Sequence, residues 1–292
     1  MGAGRLGTAL ARALAACGYE VRALVARRAG HARRAVELAG VEALALTPAR
    51  LAELPPSELL FITTPDDAVA GVAERIAALP RARGRVALHT SGALQSEVLA
   101  PLRAVGFRVG SMHPLVAVSD AAASGESLRR AFYCVEGDAA AVRAARRVVR
   151  DLGGRSFSIR ARDKVLYHAS ALMTAGHTVA LFDIAAGLLA RCGLRPERAR
   201  RVLLPLVRST LENLSRSSPE RALTGTFARG DAETVRKHLA ALREAGEPES
   251  LLAYALLGGR SLRLAARAGG VDASALKEIA RLLAEAIGVN EE

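Results

Sequence analysis

The first half of the chain alternates between short apolar runs and stretches with helical spacing. The apolar runs predict strands at 19–26, 41–46, 58–62, 85–89, 107–111, 132–136 and 155–159. The stretches between them predict helices at 8–17, 30–39, 48–54, 67–79, 96–105 and 139–152. Regular alternation of this kind is typical of an α/β protein with a doubly wound, mainly parallel sheet, which is the fold class predicted here.

From Asp163 onward the pattern changes to long Ala/Leu-rich helical stretches without a convincing strand. We therefore predict two domains: an α/β domain at 1–160 and an all-helical domain at 161–292. Ligand sites prefer clefts between domains, so the active site is expected there.

The first seven residues contain the motif G-x-G-x-x-G, formed by Gly2, Gly4 and Gly7. In a dinucleotide-binding unit the first glycine permits a tight turn, the second admits the pyrophosphate, and the third packs the helix on its strand. The helix that follows would direct its first amide groups, including those of Arg5 and Leu6, at the phosphates. The strand that normally precedes the motif is missing, which we interpret as a reading frame that starts too far downstream.

Two arginines, Arg27 and Arg28, stand about twenty residues after the glycines. An enzyme that uses NAD places Asp or Glu there for the ribose 2′-hydroxyl, whereas one that uses NADP places Arg for the 2′-phosphate. The alternative is two solvated arginines in an Arg-rich chain. The pair favours NADP(H) as the cofactor.

Polar residues follow several predicted strands, at the edge where open α/β sheets bind ligands. Thr64, Pro65 and Asp66 follow one strand and Thr90 follows another, and we expect all four to face the cofactor. The alternative for the first loop is that Asp66 or Asp67 caps the next helix.

Two histidines, His89 and His113, each end a predicted strand beside small hydroxyl residues. A single histidine is often structural, but two at adjacent strand ends indicate contact with substrate or nicotinamide. We predict that His113 is catalytic and that Ser91 binds substrate.

The start of the helical domain brings Lys164, Tyr167 and His168 close together, because positions i and i+4 share one helix face. A carbonyl that accepts hydride must also receive a proton, which an ammonium or imidazole group can donate. The alternative to a catalytic role is a structural one, with Lys164 solvated in the first turn of the helix and His168 packed in the interior. We predict Lys164 and His168 as catalytic residues, with Tyr167 beside them as a substrate contact.

A glycine-bearing turn after residue 223 carries Arg229, which suits a substrate carboxylate. Asp231 is expected to cap the helix at 232–243. The alternative is an ordinary surface loop.

Composition narrows the partners of the 292-residue chain, which has a formal net charge of +12 and is 51% hydrophobic. The arginines are scattered among carboxylates and there is no Trp for base stacking, so no nucleic-acid partner is expected. The positive surplus would attract a small anionic substrate.

No apolar run approaches twenty residues, so we expect no membrane span and a cytoplasmic protein. Three widely spaced cysteines fit reduced thiols better than disulfides or a metal site.

Together these motifs resemble a known family: bacterial Rossmann-like proteins with a C-terminal helical domain of formerly unknown function, related to the β-hydroxyacid dehydrogenase and 6-phosphogluconate dehydrogenase superfamily. The likeness covers nearly the whole chain, and it is carried by residues 2–7, 89–93, 111–115, 164–169, 224–225 and 229–231. It implies an NADP(H)-dependent oxidoreductase with a 6-phosphogluconate-dehydrogenase-like second domain, homodimeric by analogy. Some members look like ketopantoate reductases, so ketopantoate is the leading candidate for a small 2-oxo acid substrate.

The resemblance also implies residue roles. Lys164 aligns with the Lys of the K-x-x-N-N motif of β-hydroxyacid dehydrogenases, which serves as general acid/base. Tyr167 and His168 replace the two asparagines, so the family's way of orienting a substrate carboxylate does not carry over directly, and a different substrate is an alternative. The segment around His113 is similar to the G-x-H-P-M segment of prephenate dehydrogenases, where the His lies near the substrate. Thr226 stands where the family's T-G-P turn has Pro, a change that would loosen that turn.

Three other functions stay open. The first is reduction of a C=N bond, as in imine or pyrroline-5-carboxylate reductases, which share the two-domain plan. The second is a non-catalytic NADP(H)-binding protein that regulates a partner. The third is an interaction protein without a nucleotide site.

Overall fold

The computed structural model describes residues 1–80, 84–121 and 124–288. It contains two compact units, Met1–Ala175 and Gly176–Glu292, and the division falls inside one long helix. The boundary expected at residue 160 lies just before that helix begins.

The first unit alternates between strands and helices in the predicted order. Its strands are β1 (Ala23–Val25), β2 (Leu44–Leu46), β3 (Ser57–Ile62), β4 (Gly84–His89), β5 (Arg108–Pro114), β6 (Phe132–Gly137) and β7 (Arg155–Phe157). Its helices are α1 (Arg5–Ala15), α2 (Ala29–Ala39), α3 (Asp66–Ala77), α4 (Ala100–Ala104), α5 (Ser124–Leu128), α6 (Ala139–Asp151) and the first part of α7 (Lys164–Arg191). The short helix α5 was not predicted, and the segment predicted as helical at 48–54 forms a 3₁₀ helix, Pro48–Glu53.

The strands form a five-stranded sheet in the order β3-β4-β5-β6-β7 and a separate two-stranded sheet, β1-β2. All neighbours are parallel except β5 and β6, which are antiparallel. Neighbouring residues of β4 point to opposite faces: Val86 and Leu88 pack in a cluster with α1 and α6, and Ala87 packs in a cluster with α3. Helices therefore cover both faces, which confirms the doubly wound, mainly parallel fold.

A cavity of about 690 Å³ lies between β1 and β3, where the two sheets fail to join. We call it the β1–β3 slot; α1 also lines it through Leu10 and Leu14. The strands of the described residues are therefore divided between two sheets at this point. β1 is short, Ala23–Val25, and pairs with a strand on one side only, β2.

The second unit is helical, as predicted. It contains the rest of α7 and the helices α8 (Pro196–Arg216), α9 (Pro219–Ala222), α10 (Ala232–Glu244), α11 (Pro248–Ala268) and α12 (Ala273–Ala286). Apolar residues of α10, α11 and α12 form its core, among them Val235, Leu262 and Ile279. The carboxylate of Asp231 accepts a hydrogen bond from the amide of Thr234, which confirms the predicted cap of α10.

The apolar helix α7 is largely exposed. Val165, Leu166, Met173 and Val179 each expose 63% or more of their surface. By length and composition alone, Ala161–Arg191 could cross a membrane, and it is the one such helix among the described residues. Exposed apolar surfaces of this size commonly mark sites of contact with another protein or with a membrane.

Candidate active site

The three glycines of the motif have three different surroundings. Gly2 has φ +91°, and a Cβ there would lie 2.7 Å from the carbonyl carbon of Thr63 and from the amide of Thr64. A Cβ at Gly7 would collide with the carbonyl oxygen of Gly2. Gly4 faces open space, with nothing within 4 Å of a Cβ placed there. This is the arrangement in which the first and third glycines allow tight packing and the second leaves room for a pyrophosphate.

Helix α1 begins directly after Gly4, and no side chain caps its first turn. The first amide groups of a helix have no partner within the helix, so those of Arg5 and Leu6 remain for a ligand. The guanidinium of Arg5 donates to the carbonyl oxygen of Ser119 at 3.4 Å and is exposed. The end of α1 therefore has the free donors and the dipole that an anion site needs.

The loops after β1, β3 and β4 lie at the same carboxyl edge of their strands. Arg27 and Arg28 follow β1 and are exposed, and Arg28 is the N-cap residue of α2. The hydroxyl oxygen of Thr64 is buried without a hydrogen-bond partner, so it has capacity for a ligand. Thr90 is nearly buried, and its amide donates to the carbonyl oxygen of Ile62 at 3.1 Å.

Asp66 does not cap α3, because Pro65 occupies the N-cap position and no side chain caps that helix. Instead its carboxylate accepts a hydrogen bond from the hydroxyl of Ser91 at 2.8 Å. The same hydroxyl accepts the amides of Ala93 and Leu94 at 3.1 and 3.0 Å. The side chain of Ser91 thus holds two loops together in this structure, and its predicted contact with substrate stays a prediction.

Lys164, the first residue of α7, is completely buried. Its ammonium donates to the carbonyl oxygen of Ser91 at 3.1 Å and to the hydroxyl of Ser111 at 2.7 Å. A carboxylate oxygen of Glu136 lies 3.7 Å away. Burial lowers the pKa of Lys164, and Glu136 opposes that shift. The solvated surface lysine that we considered as an alternative is therefore wrong.

Glu136 is a site residue that the sequence analysis missed. It is buried, and its two carboxylate oxygens accept from the amide of Ser96 at 2.6 Å and from its hydroxyl at 2.8 Å. It reaches Lys164 because β6 runs antiparallel to β5, with Glu136 opposite Ser111. The available signal was a carboxylate at the end of the apolar run 132–136.

His113, Tyr167 and His168 form an aromatic cluster beside Lys164. Nδ1 of His113 lies 2.6 Å from the hydroxyl of Tyr167, and its ring meets those of Tyr167 and His168 edge-on at 5.5 and 5.7 Å. Burial, followed by the charges of His168 and Lys164, lowers the pKa of His113 to about 4. Burial raises the pKa of Tyr167. At neutral pH the pair therefore holds a neutral imidazole against a protonated phenol.

Two further features complete this cluster. Nδ1 of His168 is buried without a hydrogen-bond partner. A Cβ at Gly92 would collide with this ring and would lie 3.0 Å from Nε2 of His113.

His89 is fully buried, and burial lowers its pKa to about 3, so it is a neutral internal residue. Of the two histidines that end strands, only His113 reaches a partly exposed position.

Arg229 belongs to the second unit, where it lies exposed in the turn between α9 and α10. Its amide donates to the carbonyl oxygen of Gly225 at 3.2 Å, so the glycine-bearing turn is present with Thr226 in it. Its predicted contact with a substrate carboxylate stays a prediction.

Comparison with known domain families matches two segments of the chain. Residues 1–114 match a Rossmann-like domain, and residues 131–261 match a domain of unknown function, DUF2520. No curated protein matches the chain in sequence.

Solved structures of similar fold cover nearly the whole chain. Protein TM1727 from Thermotoga maritima is 22% identical, with a TM-score of 0.68 over 91% of this chain and 96% of that one. BF3122 from Bacteroides fragilis, provisionally named an NADP oxidoreductase, is 24% identical, with a TM-score of 0.69 over 89% and 95% of the two chains. Pyrroline carboxylate reductase from Plasmodium falciparum, solved with NADP bound, is 11% identical, with a TM-score of 0.56 over 97% and 96%.

These likenesses establish the architecture, and the two matched segments establish the domain combination that the sequence resemblance predicted. The chain therefore combines a segment that matches a Rossmann-like domain, at 1–114, with a segment that matches DUF2520, at 131–261.

Proposed function

We propose that the protein is an NADP(H)-dependent oxidoreductase that transfers hydride to a small 2-oxo acid, with ketopantoate as the leading candidate. The observation that carries this proposal is the contrast among the three glycines. Gly2 and Gly7 are locked by close backbone contacts, whereas Gly4 is open next to the uncapped start of α1. That contrast is what a bound pyrophosphate requires.

The residues around this loop fit a phosphorylated dinucleotide. Arg27 and Arg28 are exposed at the end of β1 and would bind the 2′-phosphate. The unpartnered hydroxyl of Thr64 would bind the cofactor from the neighbouring loop. When bound, NADPH would supply the hydride. The chain's own task is then to orient the acceptor and to deliver a proton.

The geometry favours the Tyr167–His113 pair as the source of that proton. The hydroxyl of Tyr167 and Nδ1 of His113 lie within hydrogen-bond distance, 2.6 Å apart, and both side chains are partly exposed. The lowered pKa of Lys164 suits an acid, but its ammonium is fully buried and surrounded by Ser91, Ser111 and Glu136. Lys164 would act as a cation that positions these groups, and direct donation from Lys164 stays a prediction. His168 would assist through its unpartnered Nδ1.

The buried position of Lys164 favours a second candidate, reduction of a C=N bond. A protonated imine carries its own proton, so it needs no exposed ammonium in the site. Turnover of cyclic imines without turnover of 2-oxo acids would select this candidate.

A homodimer is the proposed assembly. The exposed apolar side chains of α7 are accompanied by others on α8 and α11, such as Leu206 and Leu256 at 64% and 70% exposure. Self-association of helices is the common way to bury such surfaces in a soluble oligomer.

A fluorescence titration of NADPH and NADH tests the cofactor proposal, because a chain without Trp adds little overlapping emission. We expect saturable binding that is at least about tenfold tighter for NADPH. Replacing Arg27 and Arg28 by Ala should remove this preference. The matched control replaces Arg33 and Arg34, two exposed arginines of α2, and should retain it. If both double variants lose the preference for NADPH to the same extent, Arg27 and Arg28 are not the residues that bind the 2′-phosphate.

A further inference from the structure

Gly92 lies against two imidazole rings of the candidate site. A Cβ on Gly92 would overlap Nδ1 of His168 and would lie 3.0 Å from both Cε1 and Nε2 of His113. Gly92 is not among the glycines with a positive φ, so its backbone conformation does not require glycine. The close approach of the two rings does require it. In place of a Cβ, Gly92 turns a C–H group toward Nδ1 of His168.

The loop that carries Gly92 is held on both sides. Before it, the carbonyl oxygen of Ser91 accepts a hydrogen bond from the ammonium of Lys164 at 3.1 Å. After it, the amide and the hydroxyl of Ser96 donate to the carboxylate of Glu136 at 2.6 and 2.8 Å. Both serines are buried. A larger side chain at Gly92 would therefore displace the histidine rings before it displaced the loop.

The surroundings of His168 select one of the two neutral tautomers of its ring. Nδ1 is buried without a hydrogen-bond partner, and it faces the C–H group of Gly92. A proton on Nδ1 would be a buried donor without an acceptor, which is costly. A bare Nδ1 can accept the weak C–H contact. The single proton of the neutral ring therefore belongs on Nε2.

Nε2 is on the accessible side of the same ring. His168 is partly exposed, and Nε2 is not one of the buried, unpartnered nitrogens of the described residues. The ring of His113 meets that of His168 edge-on at 5.7 Å, so this donor lies close to the Tyr167–His113 pair. A carboxylate or carbonyl oxygen of a substrate would accept a hydrogen bond from it, whereas the N–H of a protonated imine would not.

We infer that Gly92 is a positioning residue that holds His168 in the tautomer protonated at Nε2, so that this ring meets the substrate as a hydrogen-bond donor to oxygen. The unpartnered Nδ1 assists indirectly, because it stays without a proton. The role toward a substrate rests on the proposed oxidoreductase function, and it favours a 2-oxo acid over an imine. The tautomer is a property of the protein alone and does not depend on that function.

The first test is made on the unchanged chain. Long-range proton–nitrogen NMR spectra, recorded with isotope-labelled histidine, show which ring nitrogen carries the proton. The chain has six histidines, and the signals of His168 are those that disappear in His168→Gln. At about pH 8, where an ordinary imidazole is neutral, we expect a bare Nδ1 and a protonated Nε2. A protonated Nδ1, or an equal mixture of the two tautomers, would overturn the inference.

The second test is Gly92→Ala, which places a Cβ against Nδ1 of His168. The displaced ring should lose its preference, so its two nitrogen signals should move toward a common value. Gly71→Ala is the matched control, because Gly71 is an open glycine of α3, and it should keep the tautomer of the unchanged chain. An unchanged tautomer in a folded Gly92→Ala chain would show that Gly92 does not set it.

Kinetics with NADPH and ketopantoate test the role toward substrate. Gly92→Ala should raise the KM for ketopantoate at least about tenfold, because the donor is displaced, and Gly71→Ala should leave it unchanged. Equal KM values for Gly92→Ala and the unchanged chain would overturn that role. Absence of turnover by the unchanged chain would instead count against the proposed function alone, since the NMR spectra require no substrate.

Discussion

The hydroxyl of Tyr167 lies 2.6 Å from Nδ1 of His113, although 54 positions separate the two residues. Helix α7 supplies the phenol and β5 supplies the imidazole. The second unit contains a similar pair, with the hydroxyl of Tyr254 2.9 Å from Nδ1 of His238. The chain thus provides both a candidate proton donor and a matched comparison for it.

Replacement of Tyr167 by Phe is expected to lower kcat by about a hundredfold with little change in KM, because it removes the proton shared with His113. Steady-state kinetics on the substrate found in a carbonyl and imine panel provides the measurement. Tyr254→Phe breaks the corresponding hydrogen bond in the second unit and should leave kcat unchanged. If the two variants have the same kcat, the Tyr167–His113 pair does not deliver the proton.

The lowered pKa of His113 predicts a loss of stability in acid. Its folded pKa is about 4 and its unfolded value is 6.5, so between these values the unfolded chain binds more protons. The free energy of unfolding therefore falls as pH decreases from 6.5 to 4, with a contribution from His113 on the order of 2 kcal/mol. Urea unfolding at several pH values should show a smaller fall for His113→Asn. The exposed His31 gives the control, His31→Asn, which should retain the full slope.

The buried pair of Lys164 and Glu136 predicts a second pH dependence. Glu136→Gln removes the carboxylate and leaves a buried ammonium, which should cost about 3–5 kcal/mol at neutral pH. Because burial holds the pKa of Lys164 below 10.5, the unfolded chain binds the extra proton, and stability rises with pH up to that value. The cost of Glu136→Gln should accordingly shrink toward pH 10, because the buried Lys164 of the folded variant loses its proton below pH 10.5 and no unpaired ammonium remains.

Denaturant unfolding of Glu136→Gln at pH 7 and pH 10 measures this change. The control is Glu97→Gln, which removes an exposed ion pair with Arg103 and should cost about 0.5 kcal/mol or less at either pH. If Glu136→Gln lowers the free energy of unfolding equally at both pH values, the buried ammonium of Lys164 is not the cause of the loss.

Much of this site could be predicted from sequence, because its parts follow strand ends or open a helix. His113, Lys164 and Tyr167 each stand at such a position, and local patterning is enough to find them. Glu136 also ends a predicted strand, but its partner could not be found in this way. Its meeting with Ser111 depends on the antiparallel register of β5 and β6, and no local pattern specifies the direction in which two strands pair.

The length of β1 shows a similar limit for the fold. The apolar run 19–26 predicts eight strand residues, but only Ala23–Val25 pair. Strand formation depends on partners, and β1 has one on a single side. The helices were predicted more closely because their hydrogen bonds are local.

Gly4→Ala is expected to separate cofactor binding from stability. The site of its Cβ is open, so the free energy of unfolding should change by about 0.5 kcal/mol or less, while the affinity for NADPH should fall at least about tenfold. Thermal unfolding and the fluorescence titration measure the two effects. Gly30→Ala, at an equally open glycine of α2, should preserve the affinity. Unchanged NADPH binding by Gly4→Ala would argue against a pyrophosphate at the start of α1.

The exposed apolar surface of α7 predicts a dimer of the 30.6 kDa chain. Light scattering after gel filtration should give about twice that mass. Met173→Glu and Val179→Glu place a charge on the exposed apolar face and should shift the mass toward the monomer. The exposed Glu212→Gln on α8 gives a control that leaves this face unchanged. A monomeric parent chain would overturn the dimer, and detergent-dependent solubility would assign α7 to a membrane.

The buried amino group of Met1 has a practical consequence for anyone who produces this protein. With a pKa of about 6, that amine is mostly uncharged at neutral pH, and its hydrogen bond to the carbonyl oxygen of Phe61 holds it against β3. An affinity tag fused at this end would not hang free, because its last residues would emerge between β1 and β3. Purification handles and fluorophores therefore belong at the other end of the chain.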